Sequence, residues 1–463
     1  MLIKNFSSIV AASPDPDTSS MRRDALEALD FSLRNVLPEN LLARRLFFDG
    51  TNVIIKGKNS SISVSLKDFD DIYVIGAGKA AFGMAYYFEK VIGNRITDGG
   101  IIIPKGYPYE GLKKIKIFEG THPIPSRENL EATGKLLQIV ENVNERSLIF
   151  FLLSGGASAL FFMPFDGISL EDYNYFLQIA LRVGMDIVEL NTIRKHISRV
   201  KGGRFIKLVQ PAKVVSVIIS DVIGNRLDSI GSGPTVHDET SYSDAYKILK
   251  KYLIWDRLPE SIKYVIEKGL DGMLDETLKK NDKVLRNVKN VIIGDNDDLC
   301  LAAKNFLMAR NYKVFYPLEN LSGEAREMGE RIYGIIKGKY NLADYKDKLA
   351  LIFGGETTVT VRGNGVGGRN QELVLSLVPK ISEIDKVVVL AAGSDGIDGN
   401  SPAAGAVADS YTWSEAILRG MNAYRFLHNN DSYSFFSKLD SAILTGFTGT
   451  NVNDIALVLI NKK

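Results

Sequence analysis

Seven short runs of apolar residues recur along the chain, and longer mixed segments separate them. Each run is dense in Ile, Val, Leu or Phe and does not alternate with polar residues, which is typical of parallel strands covered on both faces. Between the runs lie segments with helical spacing, such as 169–184, where Ser169 and Asp172 predict a helix start. The alternation of the two patterns predicts an α/β fold. The predicted strands are 71–78, 99–106, 147–156, 213–221, 290–296, 349–356 and 386–396.

The length of the chain predicts more than one domain. With 463 residues it exceeds what a single hydrophobic core normally fills. The segment 269–290 is charged and only weakly apolar, which is typical of a transition between domains. We therefore expect an N-terminal domain over residues 1–285 and a C-terminal domain over residues 286–463.

Composition excludes several classes of protein. The 57 basic and 55 acidic residues give a net charge of +2, whereas a nucleic-acid-binding protein would show a strong basic excess. One cysteine, Cys300, rules out an intramolecular disulfide and a multi-cysteine zinc site. The first twenty residues lack the apolar stretch of a signal peptide, and no run reaches the ~18 apolar residues of a membrane span. We expect a cytoplasmic enzyme, a monomer or homodimer, that acts on a small molecule.

Glycine and polar residues follow several predicted strands, and an open α/β sheet binds ligands at that edge. The segment GAGKAA (76–81) matches G-x-G-x-x-A, but Asp98 precedes the next strand instead of ending it, so the dinucleotide-binding motif lacks its acidic residue. It is not a P-loop, because Ala80 follows Lys79. Lys79 lies at a predicted helix start, where the macrodipole disfavours a cation. A solvated lysine on a tight turn is the plain alternative, but an anionic ligand explains the position better.

Two further segments carry possible anion-binding groups. In LLSGGASAL (152–160), backbone N–H groups would form an anion nest, although a glycine turn that only permits packing is the alternative. The segment 191–204 is predicted as a basic helix with Asn191 as its cap and Gly202–Gly203 as its stop. Its default interpretation is a solvated face, and it would attract a polyphosphate only if it faced a ligand site. We leave its His196 unassigned.

Carboxylates and one arginine complete the candidate chemistry. Asp221 closes a predicted strand and opens a long polar loop, so it can bind Mg²⁺, orient a hydroxyl nucleophile, or simply begin an Asx-turn. Arg369 is a second cation at a predicted helix start, which a carboxylate or phosphate partner would explain. In 391–409, three aspartates lie among glycines, and a Mg²⁺ loop and a rigid structural loop remain equally open. They are Asp395, Asp398 and Asp409.

Eight segments in order resemble the class-II glycerate 2-kinase family, whose C-terminal region is called the MOFRL domain. They are GAGKAA, HPIPS, LLSGGASAL, NTIRKHISRVKGGR, SDVIGNRLDSIGSGPT, GGETTVTVRGNGVGGRNQE, AAGSDGIDGNSPAAGAVAD and LTGFTGTNVNDIALVLI, spread over residues 70–460. The resemblance implies ATP- and Mg²⁺-dependent phosphorylation of D-glycerate at its 2-hydroxyl. It also implies a Rossmann-like three-layer sandwich and a second, MOFRL-type α/β domain, with the active site in the cleft between them.

The resemblance further implies roles for named residues. The family's proposed active-site lysine and arginine match Lys79 and Arg369. We expect Lys79 to contact the transferring phosphoryl group or the glycerate carboxylate, and Arg369 to grip the carboxylate or the γ-phosphate. Asp221 is expected to orient the 2-hydroxyl or, with Asp395, to hold Mg²⁺. Residues expected to bind the ATP phosphates are Ser154, Gly155, Gly156, Ser158, Asn225, Asp228, Ser229, Gly231 and Gly233.

Two other functions stay open at this stage. The G-x-G-x-x-A match allows an NAD(P)H-dependent hydroxypyruvate reductase, although no acid ends the relevant strand. A non-catalytic protein that binds a sugar acid or a nucleotide on the same sheet is the second alternative. The two cations at helix starts, together with Asp221, favour catalysis.

Overall fold

A computed structural model describes residues 1–58, 60–342 and 348–462 of the chain. These residues form two compact units: a central unit, Leu41–Gly294, and a terminal unit, Met1–Asn40 with Asp295–Lys463. The expected boundary after residue 285 differs from this division in two respects. The break falls nine residues later, between Gly294 and Asp295, and the first forty residues join the C-terminal part.

The helices, numbered in chain order, are α1 (Phe6–Ala11), α2 (Pro16–Asn35), α3 (Pro38–Arg45), α4 (Ala81–Ile92), α5 (Arg127–Ile139), α6 (Ala157–Leu160), α7 (Leu170–Arg182), α8 (Ile187–His196), α9 (Arg204–Leu208), α10 (Tyr242–Lys251), α11 (Glu260–Leu270), α12 (Asn296–Ala309), α13 (Ala325–Leu342), α14 (Arg369–Ile381), α15 (Thr412–Leu418), α16 (Ala423–His428) and α17 (Ser432–Lys438). The strands are β1 (Leu46–Phe48), β2 (Asn52–Lys56), β3 (Ser61–Ser65), β4 (Asp71–Ala77), β5 (Asp98–Pro104), β6 (Ile115–Gly120), β7 (Ser147–Leu153), β8 (Lys213–Ile219), β9 (Val288–Gly294), β10 (Lys313–Phe315), β11 (Lys348–Gly355), β12 (Val387–Gly393), β13 (Gly405–Asp409), β14 (Ala442–Ile443) and β15 (Asp454–Asn461). Among the described residues, no helix is both long and apolar enough to cross a membrane.

The central unit is built on a six-stranded sheet in the order β6-β5-β4-β7-β8-β9. Every neighbouring pair is parallel. Numbered along this sheet's own chain segment, the order is 3-2-1-4-5-6, that of a Rossmann fold, which confirms the predicted Rossmann-like sandwich. The order reverses between β4 and β7, so the crevice that receives ligands in such sheets opens where those two strands end. A small antiparallel sheet, β1-β2-β3, precedes it.

The terminal unit has a mixed six-stranded sheet in the order β10-β11-β15-β12-β13-β14. The prediction of parallel strands is confirmed for β11 where it pairs with β10, but it was wrong for the rest of this sheet, because β15 lies between β11 and β12 and is antiparallel to both. The prediction that β11 and β12 are buried on both faces is confirmed. Helices α2 and α12 pack against this sheet, and α13 and α14 contribute to its core. Two-sided burial therefore does not require parallel strands when helices cover both faces.

A buried arginine explains why the first forty residues belong to the terminal unit. Arg22 of α2 is 2% exposed, and its Nε donates to Asp409 Oδ2 at 2.7 Å. Its Nη1 donates to the Ile9 carbonyl and the Ser441 hydroxyl, each at 3.1 Å. A buried cation with this many partners holds α1 and α2 against β13, because leaving either charge alone would cost several kcal/mol.

Replacing Arg22 tests this arrangement. Arg22→Ala should lower the free energy of unfolding by about 3–5 kcal/mol, because Asp409 would become a buried unpaired carboxylate. The neighbouring Arg23→Ala, at an exposed position of the same helix, should change it by less than about 1 kcal/mol. Urea unfolding followed by circular dichroism measures both. Equal effects of the two substitutions would contradict the assignment of the N-terminal segment.

Candidate functional site

The turns after β4 and β7 meet at the point where the strand order reverses. The Lys79 N–H donates to the Gly155 carbonyl at 2.8 Å, and the Ala80 N–H donates to Ser154 Oγ at 3.0 Å. Gly78 has φ +133°, and a Cβ there would lie 2.2 Å from Ser154 Oγ. Only glycine permits this approach, so the glycine of the GAGKAA segment serves the packing of two turns.

Lys79 and His122 flank Gly156 on the second of these turns. Lys79 lies two residues before α4, close to the predicted helix start. A Cβ on Gly156 would lie 3.2 Å from His122 Cδ2 and 3.5 Å from Lys79 Cγ. Two basic side chains therefore stand beside the backbone of one glycine turn, an arrangement suited to an anion. From its proline-rich segment alone, His122 is only a minor candidate, although that segment directly follows β6.

Asn129 fixes the segment that carries His122. This fully buried amide, in the first turn of α5, accepts a hydrogen bond from the Thr121 N–H at 2.9 Å. Its Nδ2 donates to the carbonyls of Thr121 and Ala159, both at 2.9 Å. Because Ala159 lies in α6, directly after the β7 turn, one amide ties the segment after β6 to that turn.

Two of the three serines predicted to bind phosphate, Ser154 and Ser158, have partners within the protein. Ser154 is fully buried, and its hydroxyl oxygen joins the two turns through Ala80. Ser158 Oγ lies 3.0 Å from Ser232 Oγ, which also lies 3.3 Å from Asn191 Oδ1. The structure thus brings the 220–235 loop into contact with the segment that follows the β7 turn. The part of the predicted nest that lies beside Lys79 and His122 is the backbone of Gly155 and Gly156.

The acidic part of the 220–235 loop lies at the same sheet edge. Asp221 follows β8, which pairs with β7, and it is half-buried. Asn225 adopts a left-handed conformation with φ +56°. The Asp228 carboxylate lies 2.9 Å from Arg226 Nη2 and 3.8 Å from Lys195 Nζ. Two cations of the chain therefore lie beside the Asp228 carboxylate. Asp221 lies two residues after the last residue of β8.

The glycines of this loop serve its packing. Gly231 and Gly233 are both buried with positive φ, and a Cβ on Gly231 would lie 2.9 Å from Leu153 Cδ1. The neighbouring Ser229 N–H donates to the Arg226 carbonyl at 3.0 Å. The N–H groups of Gly202 and Gly203 donate to the Ser232 and Gly233 carbonyls at 3.0 and 2.7 Å. Gly202 and Gly203 therefore dock this loop, and they are not the helix stop that we predicted.

The basic segment 191–204 differs from its prediction at its start and in its exposure. The helix is α8 and begins after Asp186, whose Oδ1 accepts from the Val188 N–H at 2.8 Å, so Asn191 lies inside it and is not its cap. Lys195 is buried, and its Nζ donates to Asp238 at 2.9 Å. Burial raises the pKa of Asp238, but Lys195 more than offsets this and holds that pKa below its usual value.

Lys201 is the most deeply placed cation of this segment. It is fully buried, and its Nζ donates to the carbonyls of Ser158 at 2.7 Å and Phe161 at 3.1 Å. Burial, with a contribution from Arg194, lowers the pKa of Lys201 well below its ordinary value. Lys195 and Lys201 are therefore not part of a solvated face, which was the default interpretation of this segment. Lys201 holds the backbone that follows β7.

Arg369 begins α14, as predicted, and already has carboxylate partners. Its Nε and Nη2 donate to the two oxygens of Asp454 at 2.5 and 2.9 Å, and its Nη1 lies 2.8 Å from Glu356 Oε1. Burial lowers the pKa of Arg369, but the Asp454 carboxylate outweighs burial, so that this pKa is raised. The partner that we expected a ligand to supply at this helix start therefore comes from the chain.

Two of the three aspartates in 391–409 have structural roles. Asp398 is buried and accepts hydrogen bonds from the N–H groups of Asn370 and Gln371 at 3.1 and 2.8 Å, so it caps α14. Burial raises the pKa of Asp398 to about 6. Asp409 binds Arg22.

Asp395, the third of these aspartates and a predicted Mg²⁺ ligand, lies beside Gly393. Its Oδ1 and the Oδ1 of Asp454 would each lie 3.3 Å from a Cβ placed on Gly393. Within the described part of the chain, no group of three or more His, Cys, Asp or Glu side chains could hold a metal ion by itself. An ion bound near Asp395 would therefore also take other oxygen ligands, such as those of a substrate, of water or of backbone carbonyls.

The terminal unit holds a cavity of about 490 Å³ beside Arg369. This volume lies within the range of small-molecule sites, roughly 300–1,000 Å³. The other residues that line it are Glu356, Thr357, Thr358, Val359, Val361, Gly365, Gly367, Gly368, Glu372, Gly399, Asn400 and Asn430.

Comparison with known proteins places the chain in a family. A domain of unknown function, DUF4147, matches residues 24–267, and the MOFRL family matches residues 349–454. The D-glycerate 2-kinase of Thermotoga maritima is 37% identical over 445 residues, covering 96% of this chain and 99% of that protein. The glycerate 2-kinase of Pyrococcus horikoshii is 39% identical over 417 residues, covering 88% and 92%. That of Picrophilus torridus is 33% identical over 463 residues, covering both chains completely.

Solved structures agree with the sequence relationship. The crystal structure of glycerate kinase from Thermotoga maritima has a TM-score of 0.81 at 37% identity, covering 95% of this chain and 99% of that one. A structure of a Pyrococcus horikoshii protein has a TM-score of 0.78 at 36% identity, covering 96% and 99%. The predicted resemblance is confirmed: the chain belongs to the glycerate 2-kinase family, with a DUF4147 region followed by a MOFRL region.

Proposed function

We propose that this chain transfers the γ-phosphoryl group of ATP to the 2-hydroxyl of D-glycerate, giving 2-phosphoglycerate and ADP. The observation that carries the proposal is the relationship to proteins named glycerate 2-kinase, at 37% and 39% identity over 96% and 88% of the chain. The geometry of the central unit supports it, because basic side chains and a glycine turn meet at the carboxyl ends of β4 and β7.

Phosphoryl transfer is catalysed mainly by neutralising the charge of the phosphates and by aligning the hydroxyl with the γ-phosphorus, and not by a covalent intermediate with the protein. The 2-hydroxyl oxygen forms a bond to the γ-phosphorus while the bond to the β–γ bridging oxygen breaks, and the hydroxyl proton passes to a base. We assign Lys79 to the transferring phosphoryl group or the glycerate carboxylate, with His122 as a second donor beside it. The N–H groups of the Gly155–Gly156 turn would bind phosphate oxygens.

Asp221 is the group that we assign to the 2-hydroxyl. It follows β8, the neighbour of β7, and therefore ends on the same sheet edge as the Lys79 turn. A carboxylate within hydrogen-bond reach orients a hydroxyl and accepts its proton as the oxygen attacks. We do not extend the phosphate-binding role to Ser154, Gly231 and Gly233, because these buried residues hold the turns together.

Arg369 can still bind an anion after its contacts within the chain. A guanidinium has five N–H groups, and those to Asp454 and Glu356 use three of them. Two remain for a carboxylate or the γ-phosphate at the cavity that Arg369 lines. Because two carboxylates surround it, we propose that Arg369 acts through the direction of its hydrogen bonds more than through its net charge.

The acidic residues present fit Mg²⁺. This ion prefers oxygen ligands and usually takes one or two carboxylates, with waters and substrate phosphates completing its shell. We propose Asp395, close to Asp454 beside Gly393, as the carboxylate that holds it, with Asp221 as the alternative. Bound Mg²⁺ would neutralise charge on the ATP phosphates.

A reductase that uses NAD(P)H and hydroxypyruvate is the second candidate. The Rossmann strand order and the G-x-G-x-x-A segment favour it. Against it, β5 ends at Pro104 and not at the acid that would bind the cofactor ribose.

Product identification separates these functions. With ATP, Mg²⁺ and D-glycerate, ³¹P NMR should show 2-phosphoglycerate and ADP, whereas NADH with hydroxypyruvate should show no change in absorbance. Formation of 3-phosphoglycerate would contradict the proposed position of transfer. Oxidation of NADH without any phosphorylated product would instead support the reductase.

Removing the Lys79 ammonium should impair catalysis without unfolding the chain. We expect Lys79→Ala to lower kcat/KM for glycerate by about 10²–10³-fold, because a donor to the developing charge is lost. Lys90→Ala, at the exposed far end of α4, is the matched control and should retain the full rate. A well-folded Lys79→Ala enzyme with unchanged kinetics would refute the assignment.

A methyl group on Gly156 should disturb the same place from the backbone side. Gly156→Ala would press on His122 and strain a residue with φ +86°, so we expect kcat to fall about tenfold or more. Gly167→Ala is the control, because Gly167 has φ +92° and nothing within 4 Å of its added Cβ. It should lose similar stability while keeping kcat. Equal losses of kcat in both variants would show that strain alone is responsible.

A further inference from the structure

A second cavity, in the central unit, lies at the amino-terminal ends of the sheet strands, whereas the Lys79 turn lies at their carboxyl ends. Its volume is about 580 Å³. It is lined by the amino-terminal ends of β7, β8 and β9 and by the whole of β3. Because β4, β7, β8 and β9 are parallel, the amino-terminal ends of β7, β8 and β9 are remote from the carboxyl ends that carry the proposed catalytic groups.

The strand register places apolar and basic side chains on one face of this sheet. Leu148 pairs with Lys213, and Val215 pairs with Lys289, so these four residues share a face. Neighbouring strands lie ~5 Å apart and two residues span ~7 Å, which places the Cα atoms of Lys213 and Lys289 within roughly 10 Å.

Positive charge accumulates at this cavity without acidic partners. Lys213, Arg286 and Lys289 are exposed and line it, and Lys213 Nζ lies 5.4 Å from the centre of the Phe69 ring. Among the described residues, none of the three cations has a carboxylate within ion-pair distance. The acid in the lining is Asp68. A concave surface with one dominant sign of charge concentrates ions of the other sign.

The edge of β3 adds directional hydrogen-bonding groups. The Leu66 N–H donates to the Thr51 carbonyl, and the Gly57 N–H donates to the Ser60 carbonyl. In an antiparallel pair such bonds involve every second residue. The backbone groups of Ser61, Ser63 and Ser65 therefore point away from β2, and within the described sheet β3 has no second neighbour.

We propose that this cavity binds a small organic anion with two or more negative charges, of the phosphorylated or polycarboxylic class. Lys213, Arg286 and Lys289 hold its charge, and its carbon skeleton lies against Leu148 and Val215. The volume agrees with small-molecule sites, which range from roughly 300 to 1,000 Å³. This site is independent of the proposed kinase reaction and does not use its residues.

Calorimetric titration with glucose 6-phosphate and, separately, with citrate tests the proposal and distinguishes the two anion types. The titrations use Lys79→Ala protein, so that the proposed catalytic site contributes less. Adding Arg286→Glu and Lys289→Glu should raise the Kd of at least one anion about tenfold or more, and Arg286→Gln with Lys289→Gln should raise it less. Lys283→Glu, exposed on the same short turn as Arg286 but outside the lining, is the control and should leave Kd unchanged.

Three outcomes would overturn the proposal. The first is that neither anion binds, and the second is that the control weakens binding as much as the cavity variants do. The third is a change of occupant. If Ser63→Pro, which removes an N–H on the open edge of β3, converts a dimer to a monomer in sedimentation, a second copy of the chain fills the cavity.

Discussion

The turns after β4 and β7 approach so closely that no side chain fits between them at Gly78. A Cβ there would stand 2.2 Å from Ser154 Oγ, the atom that accepts the Ala80 N–H. This contact fixes where α4 begins and therefore where Lys79 lies. The proposed chemistry depends on it, because phosphoryl transfer is sensitive to displacements of about 1 Å.

Several buried polar groups maintain that contact from behind. Asn129 ties the segment of His122 to α6, and Lys201 holds the carbonyls of Ser158 and Phe161. A buried ammonium is costly unless its donors are satisfied, so Lys201 makes the path of the chain after β7 specific. In the terminal unit, Asp398 and Asp454 do the same for the start of α14. Buried charged side chains in each unit thus hold the backbone in place. The groups proposed to bind ligands are a smaller set.

The sequence predicted those features that depend on local pattern. The five apolar runs of the central unit coincide with β4, β5, β7, β8 and β9, and Ser169 caps α7 as expected, because burial and capping act within a few residues. Features that depend on distant partners were missed. The position of β15 between β11 and β12, and the attachment of α2 through Arg22 to Asp409, join residues far apart in the chain.

The candidate site shows the same division. The position of Lys79 near a helix start followed from its glycine turn, and that of Arg369 from the glycines before α14. Asp454, the partner of Arg369, lies 85 residues further along the chain, and no local pattern indicates this contact. The basic segment 191–204 was misread because periodicity does not report whether a cation faces solvent or the carbonyls of a neighbouring turn. No local pattern indicates that His122 lies beside Gly156, because the fold brings these residues together from different parts of the chain.

A crystal structure with a non-hydrolysable ATP analogue, Mg²⁺ and D-glycerate would show whether Lys79 and the Gly155–Gly156 turn bind the reactants. A phosphate or carboxylate oxygen should lie within hydrogen-bond distance of Lys79 Nζ, and the N–H groups of the Gly155–Gly156 turn should face phosphate. A complex in which both ligands are ordered but neither contacts Lys79 nor this turn would contradict this assignment.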